Sequence, residues 1–109
     1  MRVLFDQGTP VPLRHHLSEH RVSTAHEMGW SNIENGELLR QAENHGFEVL
    51  VTTDTNLKHQ QNLASRRIAI VVLGTTSWPR IRRVLPDILN AIDNAHFEGY
   101  TEVPVPYIR

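Results

Sequence analysis

The chain has 109 residues, a formal net charge of −1 with its seven histidines neutral, and no cysteine. That length suits one domain with a core of its own, and the lack of cysteine excludes disulfide scaffolds, thiolate-held zinc and cysteine nucleophiles. The near-neutral balance excludes nucleic-acid binding by bulk charge, so any such contact must rest on a local basic patch.

Taken in chain order, "RVLF" (2–5) predicts a short buried strand that ends at Asp6. "VPLRHHLSEH" (11–20) places Leu13 and Leu17 at helical spacing, with Pro10 or Pro12 suited to a first turn. "RVSTAHEMG" (21–29) reads as a strand running into a loop, and "SNIENGELLRQAENHG" (31–46) holds a second helix. Leu38, Leu39 and Ala42 form the apolar stripe of that helix, Glu34 or Asn35 sits near its start, and Gly46 stops it. "FEVLVTTD" (47–54) is a strand rich in β-branched residues that again ends in an Asp. "TNLKHQQNLASRR" (55–67) is weakly helical. "IAIVVLG" (68–74) is almost wholly apolar, as a central parallel strand covered on both faces must be. "WPRIRRVLPDILNAI" (78–92) predicts the last helix, with a kink or break at Pro86.

Strand and helix alternate four times, which predicts an α/β fold in three α/β/α layers around a mainly parallel sheet. That domain spans residues 1–95 and is followed by a tail, 96–109, in which Pro104 and Pro106 restrict "GYTEVPVPYIR" to an edge strand or an extended arm. The apolar residues of the arm make it a candidate surface for a partner or for a homodimer. No apolar run approaches the roughly 18–20 residues that span a bilayer. Met1-Arg2 leads straight into a strand, so neither a signal peptide nor a membrane partner is expected. A cytoplasmic setting fits.

Ligands of open parallel sheets bind beyond the carboxyl ends of the strands. Asp6 and Asp54 both follow strands and Glu37 opens a helix that starts at the same edge, so three acids distant in sequence are candidates to meet in space. Clustered carboxylates repel unless a cation neutralises them, and Mg²⁺ or Mn²⁺ suits oxygen ligands. Such ions activate water and stabilise charge in phosphodiester cleavage. The alternative is structural: an Asp after a strand caps the next helix, and a Glu in a first turn favours the helix dipole.

Three stretches carry a resemblance. "VLFDQGTP", "SNIENGELLRQAENHGFEVLVTTD" and "IVVLG", in that order and spacing, look like the small PIN-like domains of bacteria, similar to VapC-type ribonucleases and described as toxin nucleases of toxin–antitoxin pairs. The resemblance covers about residues 2–92 and rests on the order of individually short motifs. Asp6 matches the first acid of the family's "LDENLP", and Gln7 stands where the next acid is usual. Glu37 matches the helix-borne acid of "DEEIL". Asp54 matches the first acid of "LVTxDxDF", while Asn56 and Leu57 replace its later Asp and Phe. The resemblance implies a metal-dependent ribonuclease in which Asp6, Glu37 and Asp54 hold Mg²⁺ or Mn²⁺, with Asn56 as a supporting polar ligand. Its substrate is RNA and its expected partner a small antitoxin protein. With two family acids replaced, a catalytically weak domain that binds RNA or protein is the alternative.

Arg80, Arg82 and Arg83 follow the fourth strand on the ligand side and are candidate phosphate-backbone contacts, with Trp78 as a stacking face and Lys58 as a further cation near Asp54. A solvated helix start around a buried Trp is the structural alternative. Thr52, Thr53 and Ser77 offer hydroxyls at the strand ends but lack a base partner for covalent catalysis. His16 and His20, four apart, are a weak zinc pattern, and His26 follows the second strand near the cleft. Glycine-rich phosphate loops are absent. A receiver-like signalling domain also holds Mg²⁺ at strand-end acids. It pairs two acids after its first strand and places a Lys after its last, whereas here only Asp6 follows "RVLF" and no Lys follows "IAIVVLGTTSWP".

Overall fold

The apolar runs become the centre of one sheet. A computed structural model describes residues 1–57, 66–97 and 99–106. Its strands are β1 (Arg2–Phe5), β2 (Arg21–Thr24), β3 (Val49–Thr52), β4 (Ala69–Leu73) and β5 (Tyr100–Val103), and its α-helices are α1 (Asn35–Asn44), α2 (Trp78–Arg82) and α3 (Leu85–Asp93). A 3-10 helix spans Val11–His16. The five strands lie in the order β2-β1-β3-β4-β5, and every neighbouring pair is parallel. This is an α/β fold with an all-parallel central sheet flanked by helices, compatible with three α/β/α layers.

Side-chain alternation along the strands builds the layers. Val3, Phe5, Val49, Val51 and Val71 share one face with Leu13 of the 3-10 helix, Ile81 of α2 and Ile88 and Ile92 of α3. Leu4, Leu50, Ile70 and Val72 take the opposite face and pack on Leu38, Leu39 and Ala42 of α1. β3 and β4 are buried at every position. The outer strands β2 and β5 keep exposed residues, as edges do.

Helix ends follow local chemistry. Gly46 takes φ +78°, the left-handed conformation that closes α1 and that a Cβ would disfavour. The expected last helix is broken. Pro86 has no N–H for the carbonyl of Arg82, so α2 ends at Arg82 and α3 restarts with Pro86 in its first turn. The expected helix over 11–20 is shorter and tighter, a 3-10 turn that stops at His16. Only Leu13 and Leu17 anchor it, with three-residue bonds from Leu13 N–H to the Pro10 carbonyl (3.1 Å) and from Leu17 N–H to the Arg14 carbonyl (3.1 Å). Of the tail, residues 100–103 form the edge strand rather than a free arm, registered Ile70 to Tyr100 through Leu73 to Val103. Most of the weak helix expected over 55–67 lies outside the described residues.

Leu50 sits between the two central strands and α1 with 1% of its surface exposed. Leu50→Ala is expected to cost about 2–5 kcal/mol, read as a lower urea midpoint with an unchanged slope.

Candidate functional site

Parallel pairing of β1 with β3 sends both chains out of the sheet at the same edge. β2 and the 3-10 helix lie to one side of β1, while β4 lies on the far side of β3, so the crevice between the carboxyl ends of β1 and β3 is the point where the strand order reverses. Asp6 and Asp54 leave the sheet there, each half-buried.

Thr52, the last residue of β3, connects them. Its buried hydroxyl donates to Asp6 Oδ2 at 2.7 Å and accepts from the Asp54 backbone N–H at 3.1 Å. The second oxygen of Asp6 accepts from Gln7 N–H at 2.7 Å. Asp54 Oδ1 accepts from Asn56 N–H at 2.9 Å, a local turn of the Asx kind, and Oδ2 accepts from the Asn35 amide at 2.7 Å. Asn35 is the first residue of α1, so this bond ties the helix start to the end of β3. The loop after β1 folds back over the same edge. Thr9 Oγ1 donates to the Val51 carbonyl at 2.9 Å, and Gly8 passes so close that a Cβ there would lie 2.5 Å from Thr53 Oγ1.

Asp6 does not cap the segment that follows it. The 3-10 helix begins at Pro10 with no side-chain cap, and the Asp6 carboxylate is directed across the sheet instead. The Glu37 carboxylate is engaged within α1. Gln41 and Arg40 of its own helix bind its carboxylate and hold it below the usual carboxylate range, the Gln41 hydrogen bond being the larger cause. Among the described residues no three His, Cys, Asp or Glu side chains are gathered so as to hold one metal ion. Asp6, Glu37 and Asp54 therefore do not form the expected three-acid group. Asn56 contributes its backbone N–H to Asp54 while its side chain is exposed.

The basic candidates divide. Arg80 is engaged with the tail: its guanidinium donates to the carbonyls of Val105 (3.1 Å) and Pro106 (3.4 Å) and to Thr75 Oγ1 (3.3 Å). Arg82 and Arg83 are exposed. Lys58 lies outside the described residues. Trp78 packs against the core on the side of the 3-10 helix, with its ring 5.7 Å from that of His16. His20 Nε2 lies 2.7 Å from Asp93 Oδ1, so His16 and His20 have separate partners.

Beside Asp6, at the carboxyl ends of β1 and β2, a cleft of about 320 Å³ is lined by Asp6, Gln7, Val11, Arg14, His26 and Glu27 among others. A forked ion pair between Arg14 and Glu27 forms its wall. That contact, with the Thr24 N–H donating to Glu27 at 2.9 Å, lowers the Glu27 carboxyl from the usual 4.5 to about 2, Arg14 being the larger cause. Thr52 makes the strand-end hydroxyl contact expected of it, and the Asn35 side chain is the addition the sequence did not single out. Thr52 had a signal, a hydroxyl two residues before a strand-end Asp, but nothing local to Asn35 marks a bond to Asp54.

No protein-family model matches the chain, and neither a curated protein nor a solved structure is significantly similar to it.

Two outcomes follow from these bonds. Thr52→Val keeps the shape and removes the hydroxyl shared by Asp6 and Asp54, and is expected to cost about 1–3 kcal/mol in a urea titration. Because the folded pKa of Glu27 is depressed, its stabilising share is full above about pH 4.5 and is lost as pH falls toward about 2. The stability gap between the parent and Glu27→Gln should therefore narrow over that window in acid denaturation, the exposed position of Glu27 keeping the gap small.

Proposed function

We propose that the protein is a divalent-metal-dependent ribonuclease that hydrolyses RNA phosphodiesters at the β1–β3 crevice. The observation that carries this reading is the delivery of Asp6 and Asp54 to one edge of adjacent central strands, joined through the Thr52 hydroxyl. The donor set suits Mg²⁺ or Mn²⁺. Among the described residues each of the four carboxylate oxygens accepts one hydrogen bond, which leaves a lone pair on each for a cation. Mg²⁺ commonly takes one or two carboxylates and fills the rest of its shell with water and substrate phosphate. Bound there, the cation supplies neutralisation of the two acids and stabilises the negative charge that develops on the phosphate.

The chain's own residues do the positioning. Thr52 and the Gln7 N–H orient Asp6, and Asn35 and the Asn56 N–H orient Asp54, so both acids are fixed before substrate arrives. The exposed Arg82 and Arg83 are candidate cations for contact with the RNA backbone. From the resemblance to PIN-like toxin nucleases the reading takes a cytoplasmic protein restrained by a small antitoxin. No helix among the described residues is long and apolar enough to cross a membrane.

A second reading, an RNA- or protein-binding module with little catalysis, is favoured by one observation: the Glu37 carboxylate is taken up by Gln41 and Arg40. One experiment separates the two. Purified protein is incubated with RNA in Mn²⁺ or Mg²⁺, with a chelator control. Cleavage is expected, with Asp6→Asn and Asp54→Asn each lowering it by roughly 100-fold or more and Glu37→Gln by far less. Cleavage by both Asp variants at the parental rate rejects the assignment, and RNA binding without any cleavage selects the second reading.

A further inference from the structure

The cleft beside Asp6 has a chemistry of its own that the two-acid crevice does not use. Apart from Asp6, which the proposed cation would neutralise, its charges cancel, because Arg14 and Glu27 neutralise each other in their forked pair. Glu27 stays ionised down to about pH 2, so that balance holds at any physiological pH. A cleft without a free cation has nothing to pair with a bare phosphate and suits an uncharged polar group. Its volume of about 320 Å³ is at the small end of ligand pockets, near the size of one nucleotide unit.

The lining suits a heterocycle. Gln7 is exposed, and its backbone N–H is used by Asp6 while its side-chain amide makes no hydrogen bond among the described residues. That amide offers both a donor and an acceptor, the pair that reads the edge of a base. His26 lies across the cleft with only a long 3.4 Å contact from Nδ1 to Ser31 Oγ, so its ring is available to stack or to bond. Val11, 52% exposed, adds an apolar wall.

We infer that this cleft is the subsite for the base and ribose of the RNA nucleotide next to the phosphate at Asp6 and Asp54, with Gln7 and His26 as its specificity-determining residues. The inference rests on the proposed ribonuclease reading for the neighbouring phosphate, but not for the binding of the nucleoside itself. The base edge meets the Gln7 amide and the base plane lies between His26 and Val11. The phosphate stays outside, on the β1–β3 side of Asp6, where a cation offsets its charge.

The test uses the four ribonucleosides and their 5′-monophosphates as probes, titrated into ¹⁵N-labelled full-length protein. Shifts are expected at the backbone amides of Gln7, Thr24 and His26, with the bases discriminated from one another. Gln7→Ala, which keeps the backbone N–H bound to Asp6, and His26→Ala are expected to weaken the preferred nucleoside at least five-fold and to flatten the base preference of RNA cleavage. Asp6→Asn should abolish cleavage yet keep the nucleoside shifts. Absence of shifts in the cleft, or unchanged affinity and unchanged base preference in both variants, overturns the inference even if cleavage is present. Nucleoside binding in the cleft of a protein that cleaves no RNA upholds the subsite and rejects the ribonuclease reading alone.

Discussion

Parallel pairing of β1 with β3 is the constraint on which the rest depends. Val3 opposite Val49 and Phe5 opposite Val51 set two apolar strands side by side with their carboxyl ends together. Once that register is fixed by burial on both faces, the residues that follow, Asp6 and Thr52 to Asp54, have no choice of edge. A slip of one residue would turn Val3 and Phe5 toward α1 and Leu4 toward the 3-10 helix, exchanging the two packed faces. The polar chain through the Thr52 hydroxyl is thus positioned by the same burial that stabilises the sheet.

Hydrogen bonds at the crevice tie α1 and the loop after β1 to the ends of the two central strands. Asn35 links α1 to the end of β3, Thr52 links β3 to β1, and Thr9 folds the β1 loop onto the Val51 carbonyl. Arg80 extends the pattern to the last strand by holding the carbonyls of Val105 and Pro106. Each of these bonds joins segments distant in sequence, so the geometry of the edge is a property of the assembled fold and of no single loop.

What was legible in the sequence follows from this division. β1, β4 and α1 could be read because an unbroken apolar run, or a stripe such as Leu38, Leu39 and Ala42, encodes burial directly. The break at Pro86 was legible for an equally local reason, the missing N–H. The length of the segment from Val11 was not, because two leucines support a 3-10 turn as well as a longer helix. At the site, the strand-end placement of Asp6 and Asp54 was legible and the environment of Glu37 was not. A long side chain at a helix start can turn to the crevice or to its i+3 and i+4 neighbours, and Arg40 and Gln41 decide the matter. The bonds from Arg80 to the tail carbonyls were not legible either, because they join residues 25 and 26 positions apart.

The outermost strands carry a consequence for self-association. β2 and β5 are each four residues long. Pro104 follows β5 at once and Pro106 comes two residues later, so the backbone beyond the strand lacks two of the donors that a continuing ladder would need. Arg21, exposed at the start of β2, places a charge at the opposite rim. Short, punctuated rims of this kind work against edge-to-edge pairing of sheets, so the same two prolines and the exposed Arg21 that end the strands also guard the two continuous apolar strands between them.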